Sequence, residues 1–411
     1  MAGTLESTER RVGSAALHRL SIRDFRNFER LDLTLPEAGV MIVGPNGSGK
    51  SNLLEAIYYL EIFRSFRGAR DRELPRFGED VFRVEAEVRC DGNALELAAA
   101  WQKSTRRKKV EVGGGEPERL ADALGSLGAV VFSLEDSELI WGSPSARRRF
   151  LDIVLSLSEP GYVGALQRYR AVLGQRNEAL RQGRLPVVRA WAEGLVEPGA
   201  ALLAARASWA AGRSEAFGRY HAAIAGGAPA TLQHSAALGS ADAGPQDQDP
   251  GEREEPAEPA EPDEMSTTRW RDRLREALTT NEESDLRRGV TQVGPHRDDL
   301  VIRAVVDDDT AMRDLRSFGS GGQRRTAAVA LRLVEADTMR DRSGADPIYL
   351  LDDVFAELDP ERSLRVLRLL EEGRSGQVLL TAPKPVDLPV RGGSLARWSI
   401  EDGRIQVDGA G

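Results

Sequence analysis

Gly44, Pro45, Asn46, Gly47, Ser48, Gly49, Lys50 and Ser51 follow the spacing G-x-x-x-x-G-K-[ST], a phosphate-cradling pattern. Glycines at 44, 47 and 49 let the backbone curl until successive N–H groups point inward at an anion. The helix expected after the loop adds free N–H groups and its positive dipole end. Lys50 would reach the β- and γ-phosphates, and the Ser51 hydroxyl would hold Mg²⁺. Asn52, next in line, is counted with the nucleotide-binding residues.

Far downstream, the apolar run 348–351 ends in Asp352 and Asp353. A carboxylate closing a buried strand is placed to reach Mg²⁺ near Ser51, as a Walker B aspartate does. Asp353 then stands where it can orient or deprotonate the attacking water. Gly319, Ser320, Gly321, Gly322 and Gln323 match the core of the LSGGQ motif of ABC-type ATPases. A helix N-terminus offering Ser320 and glycine N–H groups is a second phosphate site. In ABC-type ATPases that site faces a nucleotide held by another subunit, which makes ATP the bridge of a two-fold dimer. Asp359 resembles the D-loop aspartate that crosses the dimer seam.

The elements that must position these groups are legible. Val40 to Val43 reads as a short buried strand, and Leu53, Leu54, Ile57 and Tyr58 share one face of the following helix. Leu20 and Ile22, then Leu31, Leu33 and Leu35, predict two strands joined through Phe25, Arg26, Asn27 and Phe28. Phe82, Val84, Ala86, Val88 and Cys90 form a period-2 series. Asp91-Gly92 predicts a hairpin turn into a strand carrying Leu95, Leu97, Ala99 and Trp101. On this reading Cys90 is an inward hairpin residue and not a catalytic thiol. The basic run of Lys103, Arg106, Arg107, Lys108 and Lys109 is either a solvated loop tip or a set of phosphate contacts. Residues 129–132 predict another buried strand, and Ser143 with Pro144 predicts a helix start. Helix-forming residues dominate from there to about 225. A helix over 270–288, a strand over 300–306, a helix over 324–339, a strand over 377–381 and a hairpin over 398–407 complete the pattern.

With 411 residues the chain has room for two or three domains, or for one with a large insertion. No run approaches the ~20 apolar residues of a membrane span. Residues 1–15 lack a signal-peptide core and read as a loose extension. The single cysteine cannot form an internal disulfide, which suits a reducing cytoplasm. A net charge of −9 first argues against a DNA partner. However, residues 240–264 hold ten acidic residues and one base, Arg253, and so account for −9 by themselves. The neutral remainder carries arginine clusters at Arg64 and Arg67 and at Arg147, Arg148 and Arg149, and these are compatible with nucleic acid. The acidic segment over 239–265 is expected to be disordered.

The wide separation of Lys50 from Asp352 resembles the SMC and Rad50 group, which fills it with long coiled coils. No a/d heptad is sustained here. The expected fold is therefore α/β: an ABC-type P-loop ATPase head of the Rad50/SMC kind, with a helical lobe inserted between Walker A and Walker B. The head is expected over 16–150 and 290–411, and the lobe over 151–289. The Phe25–Phe28 turn, the Arg64–Arg67 stretch and the run 142–152 contribute to a more specific likeness. With the Val293–Leu300 stretch and the run 350–359, they resemble the RecF family of bacterial DNA replication and repair proteins. That resemblance implies an ATP-dependent dimeric clamp on duplex DNA with weak, DNA-dependent hydrolysis. It also implies work beside RecO and RecR in loading recombinase at single-strand gaps. The chain departs from ABC ATPases in two places: residues 132–136 lack a Q-loop glutamine, and Thr381, not a histidine, follows Leu380. Both departures fit weak hydrolysis. His296 is either a site residue or a structural histidine. An ABC-type transporter motor fits neither the helical insertion nor the arginine clusters, and an SMC-like structural ATPase needs the missing heptads.

Overall fold

Leu17, Leu20, Ile22 and Phe25 are buried along the first strand, β1 (Gly13–Phe25). A register shift between Leu17 and Arg19 changes the side-chain parity, so Leu17 is buried along with Leu20 and Ile22. Gly13 and Ala15 are paired in this strand, so the sheet begins inside the stretch read as a loose extension. The computed structural model describes residues 13–90, 93–239, 266–306, 311–371, 376–384 and 395–407. The Asp91-Gly92 turn, the Cys90 side chain and residues 240–265 of the acidic segment lie outside the described residues.

The chain forms two compact units, Met1–Leu134 with Glu335–Gly411, and Glu135–Val334. In the first unit β1 is followed by β2 (Phe28–Thr34), β3 (Gly39–Val43) and α1 (Lys50–Ile62). The antiparallel meander β4 (Val81–Cys90), β5 (Asn93–Gln102) and β6 (Arg107–Val112) extends the sheet of β1 and β2. β7 (Ala129–Ser133) closes this stretch, its Ala-Val-Val-Phe run buried throughout as a core strand requires.

The second unit is built on α2 (Glu138–Trp141), α3 (Pro144–Ser158), α4 (Tyr162–Arg181) and α5 (Leu185–Ala225). Their apolar faces meet around Phe150, Tyr169, Leu203 and Trp209. β8 (Ala230–Ser235) follows, a strand not expected from the sequence. α6 (Thr267–Thr280) and α7 (Glu282–Arg288) replace the single helix expected over 270–288. Asn281 stands between them, its backbone N–H and its side-chain amide both donating to the Ala277 carbonyl. β9 (Asp299–Val305) pairs with β8 on one side and with β10 (Met312–Asp314) on the other. α8 (Leu315–Phe318) leads into α9 (Gly321–Ser343). The expected boundaries at 150 and 290 thus both fall inside the second unit.

The first unit resumes with β11 (Ala345–Asp346), β12 (Ile348–Asp352), α10 (Pro360–Glu371), β13 (Val378–Ala382), β14 (Ala396–Glu401) and β15 (Arg404–Val407). The sheet order is β15-β14-β3-β13-β12-β7, parallel except for the β14–β15 hairpin. β3 and β12, far apart in sequence, are therefore separated by the single strand β13. Their C-terminal ends fall at one edge of the sheet, where open α/β sheets bind ligands. Among the described residues no helix is long and apolar enough to cross a membrane.

Candidate nucleotide-binding site

The loop after β3 is held from several sides. The Gly44 N–H donates to Ala382 O on β13, and Gly44 lies so close to β14 that a Cβ there would stand 2.3 Å from Ile400 O. Gly49 has φ +112, and a Cβ on it would meet the Asn27 amide at 2.5 Å. Asn27 donates to Ser48 O at 3.2 Å and accepts from the Asn52 amide at 2.8 Å. Gly403, in the β14–β15 turn, donates to the same Ser48 carbonyl. The Phe25–Phe28 turn is thus a brace for the phosphate loop. Sequence reasoning gave Asn27 no role, because its contact with residue 48 exists only once β1 and β3 are folded together.

Lys50 is buried and arches back over the loop, donating to Gly44 O at 2.7 Å and Pro45 O at 3.1 Å. No carboxylate pairs with it among the described residues. The Ser51 hydroxyl donates to Asp352 Oδ1 at 2.9 Å, which joins the two expected metal ligands across most of the chain. Thr381 Oγ1 lies 2.9 Å from the same Asp352 oxygen and accepts the Asp353 N–H at 3.1 Å. The residue standing in place of the switch histidine therefore orients both aspartates. Its role follows from the register, in which Asp352 faces Thr381.

Burial first pushes the Asp352 carboxyl above its ordinary value, and the nearby Asp353 charge adds to this. Bonds from Ser51 and Thr381 oppose the rise. Burial also raises Asp353, against the pull of the Lys50 charge. Asp353 sits at φ 51, in the left-handed region that non-glycine residues rarely adopt, and its Oδ1 is buried without a hydrogen-bond partner among the described residues. Burial and the Lys50 charge acting on one carboxylate are features that functional sites share. The Ser51 hydroxyl and Asp352 carboxylate form a hard-oxygen donor pair. No cluster of three protein ligands exists among the described residues. This donor set fits Mg²⁺, which takes one or two protein oxygens and completes its shell with phosphate and water.

The signature segment belongs to the second unit. Ser320 and Gln323 bond reciprocally, Ser320 N to Gln323 Oε1 at 2.7 Å and Gln323 N to Ser320 Oγ at 3.3 Å, forming a capping box at the start of α9. Gly319 is buried beneath Leu315 O, whereas Ser320 and Gly321 are exposed and Gly322 half-buried. Asp359 caps α10, accepting the Arg362 N–H at 2.8 Å.

The candidate DNA contacts divide. Arg64, Lys103, Arg106 and Arg107 are exposed. Arg67 bonds Asn52 at 3.2 Å beside the phosphate loop. Lys109 pairs with Glu111 at 2.7 Å. Two assignments are corrected. Arg147 is 3% exposed and chelates Asp299 at 2.6 and 2.9 Å, so it ties α3 to β9 and has no free face for DNA. Lys108 is held by Phe63 O and by Asp71 at 2.9 Å, and burial lowers its pKa. Arg148 is half-buried and donates to Asp298 O at 2.6 Å. His296 proves structural: the Tyr169 hydroxyl at 2.7 Å and Thr291 O at 3.0 Å hold it, and burial lowers its pKa to about 4.

The sequence matches the RecF/RecN/SMC N-terminal domain family over residues 16–388. It is 35% identical to the DNA replication and repair protein RecF of Chloroflexus aurantiacus, over 95% of this chain and 99% of that one. The Bacillus subtilis RecF is 31% identical over 86% of this chain and 90% of its own length. The structure is similar to a solved one described as the recombination mediator protein RecF-ATP in the RecFOR pathway, with TM-score 0.80, 29% identity and coverage of 98% and 100% of the two chains. An Smc head domain from Pyrococcus furiosus shares the fold at TM-score 0.52 and 16% identity, over 96% of each chain. With an ABC-type ATPase head, an inserted helical lobe and, among the described residues, no long coiled coil, the chain belongs to the RecF family of DNA replication and repair proteins.

Proposed function

We propose that the chain binds ATP with Mg²⁺ at the site between β3 and β12, hydrolyses it weakly in response to DNA, and uses it to join two copies on duplex DNA. It then acts in the cytoplasm beside single-strand gaps, with RecO and RecR, to help load recombinase. The observation that carries this reading is the 2.9 Å contact between Ser51 Oγ and Asp352 Oδ1, which brings together the two motifs an ATPase must combine. Loop amides and Lys50 would take the phosphates, and Ser51 and Asp352 would hold Mg²⁺, whose charge would offset part of the triphosphate's. Asp353, raised above its usual pKa, would accept the proton of the attacking water. The exposed Ser320 corner at the start of α9 would close on ATP held by a second copy. Arg64, Lys103, Arg106 and Arg107 would meet the DNA backbone, which carries charge but no direct base code. Steady-state ATP hydrolysis, measured with and without duplex DNA, tests the proposal. Slow turnover raised by DNA is expected, and a protein that neither binds nor hydrolyses ATP overturns it.

A further inference from the structure

Away from the nucleotide site, the second unit carries a cleft of about 220 Å³ with Arg148, Arg149, Arg170 and Arg206 in its wall and Asp152 as its one lining carboxylate. These residues come from three helices, α3, α4 and α5, so the fold gathers their charge at one place. Arg206, 3% exposed, is fixed from behind by Asp152 at 2.8 Å, Asp298 at 3.1 Å, the Tyr162 hydroxyl at 3.0 Å and Pro295 O. Asp298 is divided between Arg206 and His234, the latter at 2.9 Å, so one carboxylate serves both. Arg148 commits one N–H to Asp298 O, and Arg170 commits one to Asp152 at 2.8 Å. A guanidinium has five N–H donors, so most of each fork remains for the cleft. Burial, with the Arg206 and Arg297 charges behind it, holds Arg148 below its ordinary value against the pull of Asp299 and Asp298. An anion in the cleft would relieve that.

Size and donor type narrow the ligand. The volume lies below the ~300–1,000 Å³ of clefts that enclose drug-sized molecules, so it suits a single small group and not a whole nucleotide. Guanidinium forks match the oxygens of a phosphate in bidentate fashion. Ser145, in the first turn of the fifteen-residue α3, adds a hydroxyl at the mouth. We propose that this cleft binds one phosphate group of a nucleic-acid strand, with Arg148 and Arg170 as the clamp and Arg206 as the fixed charge behind them. The inference rests on the DNA reading above. An internal phosphodiester and a terminal phosphomonoester offer the same chemistry, and the test separates them.

Full-length protein saturated with ATP is titrated with a fluorescent duplex across a salt series, using strands with and without terminal phosphates. The variants are Arg170→Gln, Ser145→Glu and, as control, Arg168→Gln, an exposed arginine of α4 outside the cleft wall. Ser145→Glu keeps the Arg170–Asp152 pair and sets a rival carboxylate at the mouth. Both cleft variants should weaken binding several-fold and make the log–log salt slope shallower by about 0.9, one phosphate's share, while the control does neither. A loss confined to phosphorylated ends identifies the monoester, and a loss on both duplexes identifies the diester. Cleft variants indistinguishable from the control overturn the proposal. If the wild type binds no duplex, the DNA reading fails and inorganic phosphate decides the site. A rise in melting temperature with phosphate that Arg170→Gln abolishes sustains it, and an equal rise in both proteins overturns it.

Discussion

Lys50 concentrates the chemistry of the phosphate loop in one ammonium. It is buried against two loop carbonyls, which position it but do not neutralise it. Lys50→Met removes a charge-assisted bond worth roughly 1.5–3 kcal/mol, so ATP affinity should fall about ten- to hundredfold in equilibrium binding of a labelled analogue. Lys50→Arg keeps the charge but not its compact shape, and should bind ATP while hydrolysing it poorly. Asp353 would carry the complementary role proposed above. Its unpartnered, buried oxygen and left-handed backbone are features of a site held ready, with no evident benefit to folding. Asp353→Asn should retain ATP and Mg²⁺ and lower turnover by roughly 10²–10⁴, trapping the bound state. Turnover equal to wild type would assign the water to another residue.

Helices and strands in this protein are joined by buried charges as well as by apolar faces. Arg147 on α3 chelates Asp299 at the start of β9 and also donates to the carbonyls of Leu139, Ile140 and Gly142. Arg147→Ala leaves Asp299, whose side chain is 24% exposed, without its partner and the three carbonyls without their donor, so it should cost about 1.5–3 kcal/mol in denaturant unfolding. Any loss of DNA binding should follow that loss of folded protein. α1 offers a second case. Its Glu61 is buried, accepts the Gly128 N–H at 2.8 Å, and is pushed by burial from 4.5 to about 8, with Glu335 adding to the rise and Arg342 opposing it. The folded state therefore holds a proton that the unfolded state releases near 4.5. This stabilisation is complete below that pH and is lost as pH rises toward about 8, at up to ~1.4 kcal/mol per unit. Glu61→Gln, which mimics the protonated group, should flatten the decline in melting temperature between pH 5 and pH 8 expected of wild type. Parallel curves for the two proteins would place the titrating group elsewhere.

At the scale of the whole molecule, the phosphate loop and the signature segment belong to different compact units of one chain. A shared-site dimer lets each unit serve the other copy, and ligand binding then favours assembly by mass action. Sedimentation should find monomer without nucleotide and dimer with ATP and Mg²⁺. Ser320→Arg places a bulky cation on the exposed corner without touching the phosphate loop. It should abolish the ATP-driven dimer and leave ATP affinity within about twofold. A variant that still dimerises with ATP would rule out the shared site. Two copies on one duplex also join their cationic surfaces, so ATP should tighten DNA binding by avidity.

Much of the site was readable in residue order because it depends on local chemistry. The glycines of 44–51, the apolar strand ending at Asp352 and the glycine-rich run 319–323 work through their own backbone, and near neighbours suffice to reveal them. The family likeness was likewise carried by short motifs. Contacts made across the sheet needed tertiary structure. β13 lies between β3 and β12, and only that order places Thr381 against both aspartates. Asn27 became a brace for Gly49 only when two distant turns met. Charge patterning misassigned Arg147 and Lys108, because a sequence does not show whether a cation faces solvent or a buried carboxylate. Strand β8 was hidden because its partner β9 lies beyond the acidic segment, and strand pairing is a long-range property that composition does not carry.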